Sequence, residues 1–322
     1  MKLKHKITRH IQPTAPFHFD STFHKPAHFA SGDNAWEPGV RWQTFRFLGR
    51  DLGVIFRNAG SVDTPTIAVE IYSARELPEE LVDDFVREVR YRYNLDLDLA
   101  DFYKRFAKDG FVGPVIKRIR GMRPGHQDSL YEYLIVGIVL QNCTVRRSIQ
   151  MMQALFEKYG TLLAFAGKKL WCFWEPGILE GIPEEELRSL KVGYRAKSIK
   201  RTDDQFSQGK INEMELRNKD PDTQMRVLLT LYGIGPATVW YLLFDVFHRW
   251  DFFTHISPWE QKIYSKLFFD TDPERPVSVE KLINYFDKYG EYKQLAVHYI
   301  WEDLWWKRKN EHIPWLEKLI RV

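Results

Sequence analysis

Leu231-Tyr232-Gly233-Ile234-Gly235-Pro236-Ala237-Thr238 is the stretch on which the reading of this sequence turns. One helical run ends near Leu231, two glycines flank a single apolar residue, and Pro236 falls at the natural first position of a following helix. Glycines at such a turn let the backbone come close to a partner. A helix starting there offers free N–H groups and the positive end of its dipole, which suits a phosphate. A G-x-G turn can also be an ordinary helix connection, so the flanking sequence has to decide.

Outward from the turn the chain reads as helix in both directions. From His126 onward nearly every segment carries apolar residues at helical spacing, beginning with Tyr131, Leu134, Ile135, Ile138 and Val139. Further helices are expected over 184–190, 196–208, 222–231, 236–247, 258–268, 279–289 and 294–307. The front differs. Val40 to Phe47 alternates as a strand, and 52–56 and 66–71 follow as further strands, with turns at Gly32-Asp33-Asn34 and Gly49-Arg50-Asp51. Helical periodicity takes over at 79–93 and 99–107. The fold class expected is α+β, with a β-rich domain over 1–115 and an all-helical body over 116–322. Gly110–Pro114 and Pro124–Gly125 mark the passage between them.

The hairpin resembles that of the helix-hairpin-helix (HhH-GPD) base-excision DNA glycosylases, and three other stretches agree in the family's order. Tyr133 to Arg147 resembles the early helix and the loop that plugs the gap left by a flipped base. Val192-Gly193-Tyr194-Arg195-Ala196-Lys197-Ser198-Ile199 resembles the family's turn into its next helix. Leu295-Ala296-Val297-His298-Tyr299-Ile300-Trp301 resembles the closing helix of the bacterial 3-methyladenine glycosylase II branch. The front, from Pro16 to about Phe111, is similar to the TATA-binding-protein-like antiparallel sheet of that branch and of the 8-oxoguanine glycosylases.

The resemblance implies two helical subdomains flanking a cleft, and a site residue by residue. Gly233, Gly235 and Thr238 would grip the DNA backbone, with Arg146, Arg147, Arg195, Lys197 and Lys200 adding charge along the groove. Gln141 would fill the vacated stack, and Tyr241 and Trp301 would wall the base pocket, where aromatic faces suit a cationic, alkylated purine. The same residues also suit solvated helix faces, a loop cap and plain core aromatics. An alkali-metal ion (Na⁺ or K⁺) at the hairpin is a further implication, with no other cofactor required.

One departure is plain. The family's catalytic aspartate follows the hairpin, and this chain reads Asp251-Phe252-Phe253-Thr254-His255-Ile256-Ser257-Pro258-Trp259-Glu260 there. Alignment through Trp259 places His255 at the aspartate, and counting from the hairpin places Ser257 there. Ser257 and Glu260 also form a capping box for the next helix. His255, as general base, and Asp251 are therefore the candidate catalytic residues, with Glu260 a second carboxylate able to take the electrostatic role. The lysine that bifunctional members carry after the hairpin is replaced by Ala237, so lyase activity is not expected, Lys262 and Lys266 being the remaining amines nearby. The expected function is monofunctional hydrolysis of the N-glycosidic bond of a flipped-out, alkylated purine. The alternative is a damaged-DNA-binding protein that has lost the chemistry.

Bulk composition is consistent with either. Among 322 residues, 44% hydrophobic content supplies real cores, and a net charge of +4 permits a nucleic-acid partner without requiring one. Two cysteines exclude a disulfide scaffold or a four-cysteine metal site, and irregularly spaced histidines give no zinc pattern. With no signal peptide or membrane-spanning run, a cytoplasmic monomer acting on double-stranded DNA is expected.

Overall fold

A computed structural model describes residues 1–28 and 31–320. Five strands, β1 (His5–Ile11), β2 (Asn34–Glu37), β3 (Val40–Phe47), β4 (Arg50–Asn58) and β5 (Ile67–Ser73), form one antiparallel sheet in the order β1-β5-β4-β3-β2. Period-two alternation gives each face its own partner. Leu52, Val54 and Phe56 point to one side, where helix α2 of the front domain (Glu79–Arg92) supplies Val82, Phe85 and Val89. A five-residue helix, α1 (Phe19–Phe23), closes the same core.

The opposite face carries Trp42 and Ile55, and what covers it comes from far along the chain. Strands β6 (Thr161–Phe165) and β7 (Lys168–Cys172) form a hairpin that lays Leu163, Phe165, Leu170 and Cys172 on the sheet. Gly53 makes room for it, since a Cβ there would lie 2.5 Å from the Phe165 ring. The reading of nearly everything after His126 as helix is corrected at this hairpin. Its two-residue turn, Ala166-Gly167, has both residues at positive φ (45° and 78°), the geometry that matches strand twist. β1 also lies outside the strands expected from sequence, because its alternation of Ile7 and Ile11 with basic residues hides in a charged start.

The rest is helical: α3 (Ala100–Phe106), α4 (Val112–Arg118), α5 (Leu130–Leu140), α6 (Val145–Tyr159), α7 (Glu184–Leu187), α8 (Arg195–Ser207), α9 (Glu213–Arg217), α10 (Pro221–Leu228), α11 (Pro236–Asp245), α12 (Pro258–Phe269), α13 (Val279–Phe286), α14 (Lys293–Asn310) and α15 (Pro314–Glu317). They build two cores. One gathers Leu134, Ile138, Leu155, Ile199, Leu231 and Leu242 from α5, α6, α8, the hairpin and α11. The other gathers Phe102, Val115, Ile263, Phe286, Leu295 and Ile300 from α3, α4 and α12 to α14, so α3 and α4 share a core with the C-terminal helices. Helix α11 belongs to both, sending Val239, Leu242 and Leu243 one way and Trp240 the other. The groove between the cores thus has α11 as its spine. No helix among the described residues is long and apolar enough to cross a membrane.

Candidate nucleic-acid interface and base pocket

The turn at Gly233 is built as its sequence requires. Gly233 has φ +80°, Gly235 is the extended N-cap residue of α11, and Pro236 opens the helix. Gly235 supplies no side-chain cap, so the first N–H groups of α11, including that of Thr238, have no side-chain acceptor. The turn is pressed against α8, where a Cβ on Gly233 would meet Ser198 Oγ at 2.4 Å. Leu231 and Ile234 anchor it from below.

The loop after α5 is tied to this turn. Gln141 Nε2 donates to the Gly233 carbonyl at 2.8 Å, and the Arg195 guanidinium donates to the Gln141 carbonyl. Arg195 is only 8% exposed, so its charge serves the loop from behind. Lys200 is spent similarly, donating to the Leu179 carbonyl at 3.0 Å, and Arg147 donates to the Lys191 carbonyl at 2.7 Å. Arg146 is exposed. Lys197 stands beside the hairpin with its ammonium 5.0 Å from the Tyr232 ring, and Arg201, which the sequence did not single out, lies 4.3 Å from the same ring. Tyr194 (54% exposed), Tyr232 (41%) and Leu140 (37%) complete an exposed rim of basic, aromatic and apolar groups.

Behind the rim lies a cavity of ≈ 460 Å³ between α5, α11, α12 and α14. Loop residues Ala27, His28 and Ser31 of the front domain and His126 to Asp128 close it from the side. Gln141, Thr238, Tyr241 and Trp301, predicted separately from sequence, all line it. Its charge is one-sided. Asp128, Asp245, Glu260 and Glu302 face it, and no lysine or arginine does among the described residues.

The two candidate catalytic residues lie elsewhere. His255 is behind Trp240, ring centroids 6.3 Å apart, and does not line the cavity. Asp251 is exposed, in a separate recess with His248, Trp250, Glu291 and Tyr292. The carboxylate that does face the cavity is Glu260. Ser257 caps α12 as expected, and Glu260 closes the box by accepting from the Ser257 N–H at 2.9 Å. This fixes its side chain beside Tyr241, whose hydroxyl is pushed well above its ordinary pKa by burial and by the Glu260 carboxylate. Lys262 and Lys266 are paired with Glu274 and Asp270 on the outer side of α12.

Asp245 and Glu302 were invisible as site residues, because nothing local distinguishes an acid on a long helix. Asp245 accepts from the Tyr133 hydroxyl at 2.6 Å. Burial pushes its carboxyl up to about 6, against the pull of that bond and of Lys25. The folded protein therefore holds this proton more tightly than the unfolded chain does. The stability this group contributes is greatest below its ordinary value of 3.8 and is lost as pH rises through about 6, a cost on the order of 3 kcal/mol above that. Asp245→Asn keeps an acceptor for Tyr133 and escapes the cost. Urea unfolding should show the variant gaining about 2–3 kcal/mol on the wild type between pH 4 and pH 7. A difference that stays constant across that window would show that Asp245 does not hold its proton.

A front sheet joined to a helical body, with a glycine hairpin beside a cleft along α11, is the fold of the helix-hairpin-helix DNA glycosylases. The chain's relatives and structural neighbours are proteins of that family. Over 202 residues it is 26% identical to a probable N-glycosylase/DNA lyase of Methanothermobacter thermautotrophicus, which accounts for 56% of this chain and 63% of that protein, less than two thirds of its length. The 3-methyladenine DNA glycosylase of Archaeoglobus fulgidus superposes with a TM-score of 0.74 at 16% identity, covering 95% of this chain and 100% of that one. The Clostridium acetobutylicum 8-oxoguanine glycosylase/lyase, bound to duplex DNA with cytosine opposite 8-oxoguanine, superposes at 0.67 with 19% identity over 96% and 99%. At these identities the likeness of the solved structures is one of fold. No family model matches the chain.

Proposed function

We propose that the protein is a monofunctional DNA glycosylase that hydrolyses the N-glycosidic bond of a flipped-out, alkylated purine. The observation carrying this reading is the acid-lined, aromatic-walled cavity opening beside the hairpin. The uncapped N–H groups of α11 receive a phosphate, and Lys197 and Arg201 add charge beside it. Gln141, on the loop that touches Gly233, takes the place of the extruded base. Tyr241 and Trp301 wall the pocket that accepts it.

In the reaction, water oxygen bonds to the anomeric carbon while the carbon–nitrogen bond breaks and its electron pair leaves with the base. An alkylated purine departs neutral, so it needs no proton from the protein. Glu260, the cavity-lining carboxylate held by the Ser257 N–H, stabilises the positive sugar and takes the proton from water in this reading. Ala237 and the absence of lysine among the described cavity residues favour hydrolysis over lyase chemistry. The hairpin offers carbonyl oxygens, and those of Leu231, Gly233 and Gly235 each accept one bond, from Ile234, Gln141 and Val239, and keep a further lone pair. That donor set fits a hard monovalent cation, which would lend positive charge next to the phosphate.

A second reading, a binder of damaged DNA without chemistry, is favoured by one observation: neither His255 nor Asp251 reaches the cavity. Base release from methylated duplex DNA separates the two. Wild-type protein should liberate free alkylpurine and leave an abasic site without a strand break. Tight binding with no release would establish the binder. Loss of release in His255→Ala or Asp251→Ala, with Glu260→Gln unaffected, would move the chemistry out of the cavity wall.

A further inference from the structure

Three residues on one face of α14 share an unusual property. Gln294, His298 and Glu302 recur every four positions, so their side chains form a column along the helix. All three line the cavity, and each presents a buried polar atom with no partner: Gln294 Oε1, His298 Nε2 and Glu302 Oε2. Buried polar atoms are ordinarily satisfied, and three orphans in a row on residues that line a cavity point to a ligand that supplies what they lack. Glu302 is the most demanding of them, because it is 1% exposed and a carboxylate there needs positive charge.

No lysine or arginine lines the cavity among the described residues. Buried Lys25 acts on Glu302 through its charge, but its ammonium hydrogen-bonds the carbonyls of Ser21 at 2.9 Å and Arg123 at 3.0 Å and makes no bond to the carboxylate. The other titratable groups lining the cavity with Glu302 are His298 on α14, Asp245 and Tyr241 on α11, Tyr133 on α5, Glu260 and Tyr264 on α12, and Asp128, His126 and His28 from the closing loops. None of these is a fixed cation. Resting on the glycosylase reading, we propose that Glu302 is a specificity-determining residue of this pocket, selecting a base that carries positive charge over a neutral base of the same size.

The energetics of the empty pocket agree. Burial pushes the Glu302 carboxyl up to about 7, Lys25 pulls it back, and Asp245 pushes it further. The empty pocket therefore tends to hold a proton on Glu302. When a cationic base enters, the carboxyl releases that proton to solvent and the base's charge takes its place. A neutral base leaves the proton where it is. The aromatic faces of Tyr241, Tyr264 and Trp301 add attraction for the same cation.

The test compares single-turnover release of 3-methyladenine, a cation in DNA, with that of hypoxanthine, which is neutral, between pH 5.5 and pH 7.5. In the wild type the ratio of the two rates should rise with pH by about tenfold, the size of one pKa unit. Glu302→Gln should lose tenfold or more on 3-methyladenine, change less than twofold on hypoxanthine and flatten the ratio. Glu302→Asp, which keeps the charge, should retain part of the preference. A flat wild-type ratio, or equal losses on both bases, overturns the proposal, and the wild-type ratio decides it even where a variant fails to fold. If neither base is released, the glycosylase reading has failed. Affinity for methylated against unmodified duplex then decides: a wild-type preference lost in Glu302→Gln upholds the role of Glu302, and no preference refutes it.

Discussion

Replacing Glu260 by Gln should lower base release from methylated duplex DNA by about 100-fold or more, the usual weight of a positioned acid–base group. The substitution is informative because it separates the two duties of this side chain. A glutamine at the third helical position still closes the capping box with Ser257, so α12 keeps its start and the protein its fold. What it loses is the negative charge beside the sugar. Thermal melting should move little, and affinity for undamaged duplex should stay within twofold, since Glu260 lies inside the cavity and not on the rim. His255→Ala and Asp251→Ala, outside the cavity lining, should each cost far less. Release by Glu260→Gln at the wild-type rate would leave the cavity without a catalytic carboxylate.

The second large effect is expected at the turn. Gly233→Ala puts a side chain at φ +80°, where an L-residue pays about 1–2 kcal/mol, and drives its Cβ into Ser198 Oγ. The damage reaches both partners of the turn. The Gly233 carbonyl holds Gln141, and the N–H groups of α11 begin two residues later. Binding to undamaged duplex, followed by fluorescence anisotropy, should weaken by about tenfold, because the phosphate grip carries most sequence-independent affinity. Adding Ser198→Ala should return the part due to the clash but not the part due to φ. Unchanged binding in Gly233→Ala would mean that the hairpin is only a helix connection.

What could be read from the sequence had a local signature. The hairpin, the Ser257 cap, the strand at 40–47 and the helix periodicities are written in consecutive residues, and they stand where the sequence put them. The candidate site was partly legible for the same reason. Gln141, Thr238, Tyr241 and Trp301 sit near local motifs and converge on one cavity. Asp245, Glu302 and Asp128 gave no such signal, since their meaning lies in what surrounds them after folding. Arg195 illustrates the reverse: its position beside a DNA-binding motif suggested a contact, whereas burial commits it to the Gln141 carbonyl. The β6–β7 hairpin carries no comparable local signature, because its apolar residues answer to a sheet more than 100 positions earlier.

That hairpin also sets an order of events on the ribosome. The Leu3 N–H bonds the Ala164 carbonyl at 3.0 Å, and Trp42 and Ile55 wait for Leu163, Phe165 and Leu170 to cover them. The N-terminal sheet can pair its strands early, but one face stays wet until β7 has emerged. At roughly 5–20 residues per second, that interval is on the order of ten seconds. During it a nascent chain displays an apolar sheet face to solvent, the kind of surface that makes a partly folded chain prone to aggregate, and the exposure ends when Cys172 arrives.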